Sequence, residues 1–144
     1  MLIGDIMTKD FQTIRPEATL KELGTMFKEQ RINGLPVVDP ERGELVGVVT
    51  MNDMLKILNS IYTWRVLKLR ADGHIDLSSW HQEEKLKSIV KNIMTKEVYT
   101  LVEQSTIDDL MRMVFTKNIH TIPVVRDGKL VGVVDMRDLV YACF

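Results

Sequence analysis

Leu45–Asp53 reads LVGVVTMND and Leu130–Asp138 reads LVGVVDMRD, one phrase written twice with Asp135 standing where the first copy has Thr50. In each copy a short β-branched run passes through a glycine to a polar residue, two variable residues and an Asp. That order predicts a strand leading straight into a helix start. The duplication extends outward. IMTK at Ile6–Lys9 returns at Ile93–Lys96, and Thr13, Thr19, Leu23, Met26, Ile32 and Pro36 return in register as Thr100, Thr106, Leu110, Met113, Ile119 and Pro123. PVV follows each proline; the register slips by two residues between DPERGE and RDGK, then resumes at Gly43 and Gly128. Such a length change belongs in a turn. A repeat this long decides the fold before any local reading does.

Each copy predicts the same unit. Thr19 with Glu22, and Thr106 with Asp109, have capping-box spacing. Leu20, Leu23, Met26 and Phe27, matched by Ile107, Leu110, Met113 and Val114, recur at helical spacing and form a core stripe. LPVV and LVGVV form a hairpin around a Gly-containing turn, apolar enough to be covered on both faces. A second helix starts near Met51 and runs through Leu58 or further. The unit is strand, helix, strand, strand, helix, and one unit alone leaves a sheet face bare. The chain divides into 1–58, a partly helical linker 59–91, and 92–144. In the linker, SSWHQEEKLKSIVKNIM suggests a further helix capped near Ser79. Trp64 and Trp80 either pack it onto the paired units or form an oligomer contact.

Composition narrows the function classes. The 144 residues are 45% hydrophobic and 27% charged with a net charge of −1, as in a soluble globular protein without a broad grip on nucleic acid or anionic membrane. No apolar run is long enough to span a bilayer, and no signal-peptide layout opens the chain. The lone Cys143 excludes an intramolecular disulfide, has no evident His partner, and suits the cytoplasm. No GxSxG, Walker loop, HExxH or GxGxxG occurs, so no catalytic residue and no metal site is expected. His74 and His81 share no metal-ligand spacing, and Glu83, Glu84, Lys85 and Lys87 read as a solvated face.

DIMTKDFQTIRPEATLKELGTMFKEQRINGLPVVD with ELVGVVTMNDML, and NIMTKEVYTLVEQSTIDDLMRMVFTKNIHTIPVVR with KLVGVVDMRDLV, resemble a tandem pair of cystathionine-β-synthase (CBS) motifs, a Bateman module. The resemblance covers nearly all of the chain outside the linker. It implies a mixed α/β (α+β) fold of two pseudo-symmetric β-α-β-β-α motifs packed through their sheets. It also implies a regulatory, non-catalytic module, expected to be a homodimer that signals to a protein partner. The expected ligand is adenosine-containing: AMP, ADP, ATP, S-adenosylmethionine or NAD. By that resemblance one cleft joins Thr50, Asn52 and Asp53 to Tyr99, Ile119, His120 and Thr121. The other joins Gln12, Ile32, Asn33 and Gly34 to Asp135, Arg137 and Asp138.

The chemistry of these residues distinguishes the clefts. A carboxylate accepts from ribose hydroxyls, while a Thr hydroxyl and open N–H groups at a helix start favour phosphate. Asp135 puts a second negative charge where phosphate would lie; at about 4 Å and an effective dielectric near 20 the repulsion is several kcal/mol unless Arg137 or a metal compensates. The first cleft is therefore expected to take the nucleotide. The second is expected to stay empty or to take a nucleoside or a cationic adenosyl compound. Two plainer readings stand beside this one. Asp53 and Asp138 serve as helix caps alone, and the pair is a ligand-free dimerisation module.

Overall fold

The computed structural model describes residues 1–68, 88–117, 119 and 121–144. In chain order the elements are α1 (Ile3–Ile6), α2 (Leu20–Gln30), β1 (Gly34–Val38), β2 (Leu45–Thr50) and α3 (Met51–Lys68). A 3-10 turn at Val90–Asn92 precedes α4 (Ile107–Lys117), β3 (Thr121–Arg126), β4 (Lys129–Asp135) and α5 (Met136–Cys143). The second helix of the first unit thus continues well past Leu58. Ser79, Trp80, His74, His81, the Glu83–Lys87 charges and His120 lie outside the described residues. Trp64 falls within α3, and its side chain lies outside the description.

The helix starts form as their spacing demands, with one difference between copies. In the second copy the Thr106 hydroxyl accepts the Asp109 N–H at 3.2 Å, and Asp109 accepts the Thr106 N–H at 2.9 Å. The Thr106 N–H and, after it, the Thr106 hydroxyl, which donates to Asp109 Oδ2 at 3.0 Å, hold the Asp109 carboxyl below the usual carboxylate range. In the first copy the Thr19 hydroxyl accepts the Glu22 N–H at 3.1 Å, but Arg15 takes the Glu22 carboxylate at 3.1 Å. The box there is half closed, because a nearby cation competes for its acid. Behind these caps α2 buries Leu20, Leu23 and Phe27, and α4 buries Leu110 and Val114.

The two hairpins are built to one register. Gly34 pairs Thr50, Pro36 pairs Val48 and Val37 pairs Gly47; in the second hairpin Thr121 pairs Asp135, Pro123 pairs Val133 and Val124 pairs Gly132. Each ladder is irregular one step later, at Val37/Val38 and at Val124/Val125. The strand that leads each unit is reduced to a single parallel bridge, Ile14 to Val37 and Leu101 to Val124. A turn follows at once in both copies, Ala18 N–H to Arg15 O at 3.1 Å and Ser105 N–H to Val102 O at 3.0 Å, so the ladder cannot extend. The hairpin turns meet across the pseudo-two-fold: the Leu45 N–H donates to Gly128 O at 3.0 Å, and the Leu130 N–H to Gly43 O at 3.4 Å. Gly43 and Gly128 have φ of 70° and 80°, a turn conformation that suits glycine.

The segment ahead of each copy docks on the other copy. Thr8 bridges Val133, and Ile3 is fully buried with Leu101, Leu110, Ile122, Val124 and Val134. Reciprocally, Thr95 bridges Val48, and Val90 is fully buried among Leu23, Leu35, Val37 and Val49. Packing explains the glycine in the repeated phrase. A Cβ on Gly47 would lie 2.7 Å from Met94 Sδ and 2.9 Å from Thr95 O, and one on Gly132 2.5 Å from Met7 Sδ. Only a residue without a side chain lets the IMTK segments cross there.

Candidate functional site

The strand-to-helix corners place the repeated polar residues at the mouths of two cavities. The first, about 550 Å³, is lined by Thr50, Asn52, Ile119 and Thr121, together with Asn33, Gly34, Met51 and Leu55. The second, about 530 Å³, is lined by all seven residues assigned to it: Gln12, Ile32, Asn33, Gly34, Asp135, Arg137 and Asp138. Both volumes suit a small-molecule ligand. Each cavity draws on both copies. Gly34 and Thr121 line both, so the clefts share a wall.

Among the described residues, two assigned to the first cleft do not line it. Tyr99 is 49% exposed, with Lys117 Nζ 5.6 Å from its ring centroid. Asp53 turns its carboxylate back on the corner, where Oδ2 accepts the Thr50 N–H at 2.8 Å, and the Thr50 hydroxyl lies 3.1 Å away. Its Oδ1 accepts no hydrogen bond from the described residues. Conversely, Thr8, Asp10, Phe11 and Arg31 line the second cleft without having been singled out. The repeated IMTK segment and the run before Ile32 were the available signals. Neither announces a contact that depends on how the copies cross.

Thr50 and Asp135 occupy matching positions and do different things. The Met51 N–H donates to Asn33 O at 2.7 Å, while the next N–H, that of Asn52, finds no acceptor among the described residues. At the matching corner Asp135 accepts the Arg137 N–H at 2.8 Å and the Asp138 N–H at 3.2 Å. Asp138 returns the bond by accepting the Asp135 N–H at 2.8 Å, and it also accepts from the Thr8 hydroxyl at 3.2 Å. The Arg137 guanidinium closes on Asp135 at 2.9 Å, which raises the arginine above its ordinary pKa. The second corner therefore carries its own anion on the helix N–H groups. The first leaves one of those groups open.

The described lining of the first cleft bears no charged side chain, whereas the second holds Asp10, Arg31, Asp135, Arg137 and Asp138. A family model described as the CBS domain matches residues 3–60 and 90–144. The chain belongs to the CBS domain family. As a CBS pair it is 30% identical over 154 residues to an uncharacterised protein of Methanocaldococcus jannaschii, covering 99% of this chain and 90% of that one. The crystal structure of CBSX2 of Arabidopsis thaliana in complex with AMP superposes with a TM-score of 0.75 at 25% identity, over 99% of this chain and 95% of the other. The CBS domain pair of protein MJ0100, in complex with 5′-methylthioadenosine and S-adenosyl-L-methionine, superposes with a TM-score of 0.74 at 26% identity, with both chains fully covered. Other relatives are longer: this CBS pair spans 38% of a second uncharacterised M. jannaschii protein and 22% of that organism's inosine-5′-monophosphate dehydrogenase. Among the described residues no helix is long and apolar enough to cross a membrane, and no cluster of His, Cys, Asp or Glu is suited to a metal ion.

Proposed function

We propose that this CBS pair is a non-catalytic regulatory module that binds an adenosine-containing ligand (AMP, ADP, ATP, S-adenosylmethionine or NAD) and signals to a protein partner. The nucleotide occupies the first cleft. One observation carries that choice: the Asn52 N–H is open at the start of α3, while Asp135 already covers the matching Arg137 N–H at the start of α5. An anion is favoured at an open helix start and repelled by a carboxylate that has taken its place. By the family resemblance Asp53 is the ribose acceptor at the mouth of that cleft, its Oδ1 accepting no hydrogen bond from the described residues, and His120 is the candidate for contact with phosphate. Complexes of relatives with AMP, 5′-methylthioadenosine and S-adenosyl-L-methionine support the ligand class. Because each cleft is walled by both copies, a ligand there favours the arrangement it bridges best, which is a population shift. The single Cys143 supports a cytoplasmic setting.

Thermal denaturation with and without ligand tests the reading. A ligand present at a hundred times its Kd stabilises the folded state by about 2.7 kcal/mol. AMP is expected to raise the melting temperature more than adenosine does. If none of the five ligands shifts it, the pair is an assembly module instead.

The same module is proposed to be a homodimer. Met51 and Leu55 on α3 are exposed, and so are Met136 and Val140 at the matching positions on α5. Exposed apolar residues at matching places on both helices offer one continuous kind of surface for a second copy to cover. Light scattering is expected to give twice 16.6 kDa. A monomer mass across a wide concentration range contradicts it.

A further inference from the structure

Helix α2 ends on a left-handed residue, Arg31, with φ 52° and ψ 46°. That position favours Gly or Asn, because a side chain crowds the backbone there. The second copy has Asn118 at the corresponding place. The turn therefore gives no reason for an arginine. The cleft does: Arg31 lines the second cavity beside Asp135 and Arg137, and it makes no hydrogen bond or ion pair with any described residue. Arg137, by contrast, is held by Asp135. Among the described residues of that lining, Arg31 is the cation not already matched.

We infer that Arg31 is the anion-recognising residue of the second cleft, and that this cleft takes an adenosine ligand with no phosphate on the 5′ carbon and a carboxylate carried beyond it. The inference rests on the reading of both clefts as adenosine sites. An anion placed directly on the 5′ carbon meets Asp135, which holds the helix N–H groups itself. A carboxylate carried further out, with no phosphate on the 5′ carbon, escapes Asp135 and meets a guanidinium, whose planar fork fits its two oxygens as a pair. A residue in an unfavourable backbone conformation at a cleft is where such a functional constraint is expected.

The test is titration of the full chain with ATP, S-adenosylmethionine and 5′-methylthioadenosine, followed through the backbone amide shifts of Asp135, Arg137 and Asp138, which report the second cleft. Wild type is compared with Arg31→Asn and Asp138→Ala. Asn suits the left-handed turn, so Arg31→Asn is expected to melt at the wild-type temperature or above it. It is expected to weaken S-adenosylmethionine by about tenfold or more, a charged hydrogen bond's contribution, and to leave 5′-methylthioadenosine unchanged. Loss for S-adenosylmethionine without loss for ATP supports the assignment; loss for ATP, whose α-phosphate sits on the 5′ carbon beside Asp135, overturns it. Equal loss for all three probes, or no loss, overturns the role of Arg31. If Asp138→Ala weakens a probe that Arg31→Asn leaves alone, only the Arg31 inference fails. If neither variant moves any probe, the adenosine reading of the second cleft fails with it.

Discussion

Replacing Ile3 with Ala is expected to destabilise the folded chain by about 2–5 kcal/mol, the cost of emptying a fully buried aliphatic site. The position looks peripheral in sequence. In the fold Ile3 has no exposed surface and belongs to the core of the second copy, with its N–H bonded to Ser105 O at 2.8 Å. Ile3→Val removes a single methylene and is expected to cost about 0.5–1.5 kcal/mol. Urea denaturation of both variants checks the order. The reciprocal contact, Val90 in the core of the first copy, gives the loss a particular character. Because the copies close each other's cores, unfolding is expected to remain one cooperative transition rather than to split in two. An Ile3→Ala variant as stable as wild type would show that residues 2–8 do not dock on the second copy.

Asp53→Ala is expected to lower the affinity for AMP about tenfold or more, since hydrogen bonds to a charged group contribute about 1.5–3 kcal/mol. The same substitution removes the acceptor of the Thr50 N–H and so costs about 1 kcal/mol of stability in the absence of ligand. The two effects are read separately, by isothermal titration and by melting. Asp138→Ala is expected to leave AMP affinity within about twofold, because the corner it serves is already covered by Asp135. Asp135→Thr recreates the first corner in the second cleft and frees the Arg137 N–H. A second equivalent of AMP is then expected to bind. If Asp53→Ala binds AMP as wild type does and merely melts lower, Asp53 is a helix cap and nothing more. If Asp138→Ala loses AMP instead, the clefts are assigned the wrong way round.

The contrast between Thr50 and Asp135 is legible in the sequence, because both residues sit in one repeated phrase. The helices were legible for a related reason. Caps such as Thr106 with Asp109, and stripes such as Leu20, Leu23 and Phe27, are local patterns whose spacing is set by a single element. The hairpins were legible from their β-branched runs and turn glycines, whereas the register that sets Gly47 opposite Val37 and Gly132 opposite Val124 came from the structure. The second cleft's residues were placed together by the family resemblance, and the cavity holds all seven.

What the tertiary structure decided depends on contacts between residues far apart in the chain. No local pattern places Ile3 in the far core, aims Met7 and Met94 at glycines of the opposite copy, or makes Gly34 and Thr121 a wall common to both clefts. The same holds for departures from the expected sites. Tyr99 stands at the surface beside Lys117 rather than in the first cavity, and Arg15 diverts Glu22 from its cap. The repeat determined that there are two corners, one neutral and one acidic. How far each corner is already satisfied by its own helix, and which side chains from the crossing segments surround it, was decided only when the copies packed together, since burial and hydrogen-bond competition are properties of the assembled fold.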